Sequence, residues 1–279
     1  MNLEELKSMA GDIRVDIVKM VAEAGSGHPG GSLSAADIMC ALYFGGVLKH
    51  DAENPKAEDR DRFLLSKGHA APALYATLAE AGYFPKEELA TLRKLHSRLQ
   101  GHPDCKKLPG VEASTGSLGQ GLSIAAGMAL GLKLNGSESS VFTLMGDGEC
   151  QEGQVWEAAM FAGARKLDNL VFVVDNNGLQ IDGDIEDVCS PYPLPDKFKA
   201  FNFHVIEIDA HDFEQIDAAF REARETKGMP TAIIARTLKG KGVSFMENQC
   251  DWHGKAPNDE QYAVAMADLE KVGEALCQK

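Results

Sequence analysis

Two runs in the second half of the chain, Val141–Met145 (VFTLM) and Leu170–Asp175 (LVFVVD), are apolar almost throughout and end abruptly in polar clusters. A strand with no wet face is the pattern of a parallel sheet covered on both sides. Parallel neighbours need a crossover, and helical spacing over Glu152–Arg165 supplies one between the two runs. The rhythm continues with a strand at His204–Ile208, a helix at Phe213–Arg224 and a strand at Thr231–Ala235. This alternation predicts an α/β fold, a doubly wound, mostly parallel sheet flanked by helices. In such sheets ligands bind beyond the carboxyl ends of the strands.

The first part of the chain is helical in pattern. Leu3, Leu6, Ala10, Ile13, Ile17, Met20 and Ala24 recur at helical spacing, GSGHPGGS (25–32) interrupts them, and Ser34 with Asp37 reads as a capping box for a second helix through about Phe44. RFLLS (62–66) reads as a short strand and Ala73–Ala81 as a helix. Residues 113–132 lack any charge over a length that would span a bilayer. Their hydroxyls and recurring glycines instead predict a turn and then a buried helix from about Leu118 to Leu134. With no repeat or linker, residues 1–279 are expected to form one domain, the helical segment 1–60 packing on the sheet.

The polar clusters are the chemical clue. GDGECQEG (146–153) places three glycines and three carboxylates at one strand end, and DNNGLQIDG (175–183) stands at the next. Asp147 and Asn177 offer hard oxygen atoms at one sheet edge, as Mg²⁺ requires when phosphate oxygens and water complete its shell. Gly148 leaves room for a phosphate against the backbone, and the helix start near Cys150–Glu152 aims its amides at the same place. Separately, GDG is a common turn and NNG a common hairpin. Together, about thirty residues apart with a helix and strand between, they point to a bound anion and its metal.

A net charge of −14 disfavours nucleic acid and anionic lipid as partners, but a metal ion and helix ends would still permit an anionic ligand. Six cysteines without CxxC spacing fit reduced thiols in a cytoplasmic protein. The first residues read as an acidic amphipathic helix rather than a signal peptide.

The spaced GDG and NN pair resembles the thiamine diphosphate fingerprint, and further segments resemble the amino-terminal half of a transketolase. These are GSGHPGGSLS (25–34), DRFLLSKGHAAPALYA (61–76), LQGHPD (99–104), PGVEASTGSLGQGLS (109–123), GDGECQEGQVWEAAMFA (146–162), DNNGLQIDG (175–183) and KGKGVSFMENQCDWHG (239–254). The sequence has no counterpart of that family's second α/β domain and carboxyl-terminal domain, so it resembles the small subunit of a split transketolase.

The resemblance implies a thiamine diphosphate-binding fold of the pyrophosphate type. It implies that Asp147, Asn177 and the carbonyl of Leu179 hold Mg²⁺ (or Ca²⁺ or Mn²⁺), with Gly146 and Gly148 close to the diphosphate. His69 and His253 would approach the diphosphate and reacting centre, and His28 and His102 the sugar oxygens. Gly116, Ser117 and Leu118 would pass beside the aminopyrimidine. Glu152 would lie at a subunit interface, bonded towards the activating carboxylate of the other chain. Glu149 is expected to be a solvated charge, and His50, His96, His204 and His211 to be structural. Lys239 and Lys241 could face the diphosphate or solvent. The implied reaction moves a two-carbon ketol unit from a ketose phosphate to an aldose phosphate, as in the pentose phosphate pathway. It would require a partner chain carrying the missing domains, two copies of each. A deoxyxylulose-phosphate synthase, a 2-oxo acid dehydrogenase component and a non-catalytic cofactor-binding remnant are the rival readings.

Overall fold

In the computed structural model, which describes the backbone of residues 1–277 and side chains as far as residue 271, five parallel strands form one sheet. In chain order the helices are α1 (Leu3–Ala24), α2 (Pro29–Phe44), α3 (Ala71–Glu80), α4 (Gln120–Leu134), α5 (Gly153–Ala164), α6 (Ile185–Cys189), α7 (Leu194–Ala200), α8 (Phe213–Glu225) and α9 (Asp259–Cys277). The strands are β1 (Arg62–Leu65), β2 (Val141–Gly146), β3 (Leu170–Asn176), β4 (Leu179–Gln180), β5 (Gly183–Asp184), β6 (His204–Asp209) and β7 (Thr231–Arg236). The sheet order is β1-β2-β3-β7-β6, and β4 and β5 make a separate antiparallel pair.

The consecutive apolar positions divide between two cores because a strand alternates its faces. Phe142, Leu144, Val171, Val173 and Ile233 pack under α1, α2, α3 and α8. Val141, Met145, Leu170, Phe172, Val174 and Ile234 pack under α4, α5 and α7. At roughly 25 cal/mol per Å² of apolar area, burial on both faces is the main term holding the sheet.

Two expectations need correction. The second helix begins at Pro29, not near Ser34, because the proline presets the first turn and needs no amide partner. Ser34 is therefore mid-helix and fully buried, its hydroxyl donating to Asp175 Oδ2 at 2.6 Å, while Asp37 pairs with Arg14 and His211. The helix expected from about Leu118, α4, starts at Gln120 and is buried along one face only. Leu122, Ala125, Ala126 and Ala129 face the core, and Ile124 and Leu134 face outward. Among the described residues no helix is long and apolar enough to cross a membrane.

Candidate cofactor site at the carboxyl edge of the sheet

Because the five strands run in parallel, the segments after β1, β2, β3 and β7 all emerge on one edge. They carry His69, Asp147, Asn177 and Lys239, which line one cavity of about 220 Å³. Gly146, Gly148, Leu118, Glu152, Leu179 and His253 also line it. Ligand pockets commonly enclose roughly 300–1,000 Å³, so this wall is incomplete for a cofactor-sized ligand.

The metal-type oxygens are organised by backbone amides. Asp147 accepts from Gly148 N at 2.8 Å and from Gly178 N at 2.6 Å, and Asn177 Oδ1 accepts from Leu179 N at 3.1 Å. Burial, reinforced by the Asp175 carboxylate, pushes the Asp147 carboxyl up to about 6. A carboxylate so penalised gains from a nearby cation. No cluster of three or more His, Cys, Asp or Glu suited to a metal occurs among the described residues, so an ion here would need amide or carbonyl oxygens beside Asp147. The Leu179 carbonyl accepts from Lys239 Nζ at 3.1 Å and keeps a second lone pair.

Neither Gly146 nor Gly148 is glycine for the protein's own sake. Neither has a positive φ. A Cβ on Gly146 would meet nothing nearer than 3.8 Å, and one on Gly148 would touch Gln180 Cβ at an ordinary 3.5 Å. What a side chain there would obstruct is the cavity. Gly116 differs: its φ is +134°, and a Cβ would stand 2.4 Å from the His102 ring, so that turn is demanded by internal packing. Ser117 beside it is exposed, and neither residue lines the cavity.

Four histidines from distant segments converge. His69 and His253 stack with ring centres 5.0 Å apart. His28 stands 5.3 Å from His69 and 5.5 Å from His253, and His102 6.5 Å from His28. Burial holds His253 down at about 3 and His28 at about 4, with the Lys239 cation adding to the first shift and Arg93 to the second. Burial also lowers His69 well below the usual range, helped by Lys67. The rings are therefore neutral near pH 7, and their tautomers follow from their partners. Lys239 Nζ donates to His253 Nδ1 at 3.0 Å, and Arg93 Nη2 donates to His28 Nδ1 at 3.3 Å. Each proton then resides on Nε2, a donor free to meet an oxygen. His50, His204 and His211 bond to Tyr43, Glu222 and Asp37, away from the cavity.

Glu149 is not solvated. It is 2% exposed and accepts from Ser66 Oγ, from Gly119 N at 2.8 Å and from Gly146 N at 3.2 Å, tying three segments together beneath the cavity. Burial raises its pKa. The short helical turn at Gly148–Gln151 precedes α5, so Glu149 points inward while Glu152 remains exposed. Sequence reasoning also missed Lys67 and Asp175. They form a buried ion pair, and Lys67 Nζ donates further to Gly31 O at 2.8 Å. The available signal was an acid closing a wholly apolar strand, which burial tolerates only when paired. Lys239, left open between cavity and solvent, is 2% exposed and lies in the cavity wall, its pKa drawn down to about 8 by burial and by Lys67.

The transketolase thiamine diphosphate-binding domain family matches residues 6–270. The 6-deoxy-6-sulfo-D-fructose transketolase subunit SqwG of Clostridium sp. strain MSTE9 is 44% identical over 269 residues, 96% of this chain and 98% of that one. An apulose-4-phosphate transketolase subunit of Phocaeicola vulgatus is 41% identical over 276 residues, 99% of this chain and 98% of that one. Human transketolase is 44% identical over 261 residues, 91% of this chain but 40% of the relative. The crystal structure of Campylobacter jejuni transketolase superimposes with a TM-score of 0.90 at 34% identity, covering 99% of this chain and 46% of that one. The chain thus spans less than half the length of these last two proteins, and it belongs to the transketolase family, matching its thiamine diphosphate-binding domain.

Proposed function

We propose that this chain is the cofactor-binding subunit of a two-chain, cytoplasmic transketolase. The carrying observation is the convergence of Asp147, Asn177, two glycines without internal purpose and four neutral histidines at one open sheet edge. Asp147, Asn177 and the Leu179 carbonyl fit a hard divalent ion, Mg²⁺ first, whose charge would offset a diphosphate in an acidic chain. Thiamine diphosphate, when bound, supplies the carbon nucleophile and electron sink for breaking and forming a carbon–carbon bond.

The chain's own part is positioning. His69 and His253 present imidazole donors over the reacting region, and His253 keeps its proton on Nε2 because Lys239 occupies Nδ1. His28, held by Arg93, and His102 at the rim would bond the hydroxyl and carbonyl oxygens of the sugar. Neutral imidazole suits this task, since it donates without placing charge beside a polyol. Leu118 gives an apolar wall, with Gly116 and Ser117 in the loop that carries it.

The open side of the cavity calls for a second chain. Glu152 is exposed at the mouth, and the helix it opens, α5, carries the uncovered Met160 and Phe161 along its outer face. A partner completing the wall would run over that face and meet Glu152 with the carboxylate needed to activate the cofactor. The assembly is two copies of each chain. The transferred unit is a two-carbon ketol group, moved between phosphorylated or sulfonated sugars.

Mixing the pure chain with the product of its neighbouring reading frame, thiamine diphosphate and Mg²⁺ tests this. Ketol transfer confined to the mixture is expected. Activity in the chain alone, or 2-oxo acid decarboxylation instead, overturns the reading.

A further inference from the structure

We propose that Gln180 is a diphosphate-binding residue, its side-chain amide reserved for an anionic oxygen of the cofactor. The proposal rests on the cofactor reading above. Gln180 closes the two-residue strand β4, where pairing of Leu179 with Asp184 and of Gln180 with Gly183 fixes which way each side chain leaves the hairpin. Its side chain lines the cavity and lies against Gly148, whose absent Cβ would sit 3.5 Å from Gln180 Cβ. The Nε2 atom is shielded from solvent and has no hydrogen-bond partner.

A buried amide nitrogen can only donate, and leaving it unmatched forfeits its hydration without return. No acceptor of the chain reaches it: the Asp147 oxygens face the amides of Gly148 and Gly178, Asn177 Oδ1 faces that of Leu179, and none of them bonds Gln180 Nε2. An acceptor must therefore come from outside the chain. The open space beside Gly146 and Gly148 is where it would enter, and a donor amide there suits an anion and not a cation.

The experiment is titration of the chain, assembled with its partner chain, with thiamine diphosphate in saturating Mg²⁺, followed by calorimetry, for wild type, Gln180→Met and Gln180→Glu. Melting of each chain without ligand is recorded in parallel. Gln180→Met should bind about fivefold to tenfold more weakly, the effect of one lost hydrogen bond. Gln180→Glu should lose more than about 30-fold, since it sets like charge against the diphosphate. Mg²⁺ with inorganic pyrophosphate should reproduce this ranking. The ligand-free melting point of Gln180→Met should hold or rise, because an orphaned donor has been removed.

Binding of Gln180→Met within about twofold of wild type overturns the proposal. So does a lower ligand-free melting point, which would mean a structural role, or tighter Mg²⁺ binding by Gln180→Glu, which would make the side chain a metal ligand. Failure of the wild type to bind overturns the cofactor reading and Gln180's role with it.

Discussion

Lys67 and Asp175 form an ion pair that solvent barely reaches, with side chains 2% and 0% exposed, although 108 residues separate them in sequence. Ser34 and Thr237 also donate to Asp175, so α2, the turn after β1 and the segment after β7 meet at the last residues of β3. Removing one partner strands a buried charge. Asp175→Leu alone should destabilise the chain by about 3–5 kcal/mol in urea unfolding. The double variant Lys67→Met/Asp175→Leu should recover part of that loss, and strictly additive effects would contradict the pairing.

Gly148 and Gly116 should separate ligand from packing. Gly148→Ala meets only ordinary contact, so its stability should stay within about 0.5 kcal/mol of wild type while binding of thiamine diphosphate with Mg²⁺ falls about tenfold or more. Gly116→Ala combines a φ of +134° with a 2.4 Å approach to His102 and should lose about 1–3 kcal/mol of stability. Thermal melts and a binding titration on the same two proteins check the contrast.

Asp37 predicts a pH dependence of stability. Its carboxylate accepts from Arg14 at 2.9 and 2.6 Å and from His211 Nδ1 at 2.7 Å. His211 Nε2 accepts from Leu238 N, which leaves the ring proton on Nδ1. Burial alone would raise Asp37, but Arg14 and His211 outweigh it and bring the group from 3.8 down to about 2. A depressed carboxyl stabilises the fold above its unfolded value and loses that contribution as pH falls from 3.8 towards 2. The expected share is about 2 kcal/mol. The wild-type-minus-Asp37→Asn difference in unfolding free energy should shrink by this amount between pH 5 and pH 2, and a constant difference would refute the assignment.

His102 stands at the exposed rim and is not part of the cavity wall. His102→Ala should raise KM for the sugar and leave the dissociation constant for thiamine diphosphate unchanged. His253→Ala, deeper and bonded to Lys239, should lower kcat by about 10²–10⁴. Steady-state kinetics of the assembled enzyme beside a cofactor titration would distinguish these, and equal effects on both quantities would contradict the division.

Met160 is 58% exposed on the outer face of α5. Met160→Glu should melt at the wild-type temperature, within the spread of surface substitutions at roughly 0.5 kcal/mol, yet weaken association with the partner chain. Sedimentation of the mixed chains would show it.

Every strand read from the pattern is present within a residue or so at its ends, and the helices read around them within two residues, the start of α2 excepted. Runs of consecutive apolar residues and the 3.6-residue period are local properties that exclude most alternatives before any long-range contact forms. The placement of Asp147 and Asn177 at one edge followed too, since parallel strands send their carboxyl ends the same way. The start of α2 was misplaced because a Ser-x-x-Asp signal inside the segment competed with Pro29, and nothing local ranks one above the other.

What the sequence by itself determined is the layered α/β architecture, the edge at which the polar clusters emerge and the family to which they belong. Only the tertiary structure decided which charges are buried. Glu149 turned inward because amides of Gly119 and Gly146 and the Ser66 hydroxyl were waiting for it. Lys67 and Asp175 could lose their hydration because each found the other across 108 residues. Gln180 was left with a donor and no acceptor. Burial of a polar group depends on partners that arrive from distant segments, and spacing along a chain carries no record of where those partners will stand.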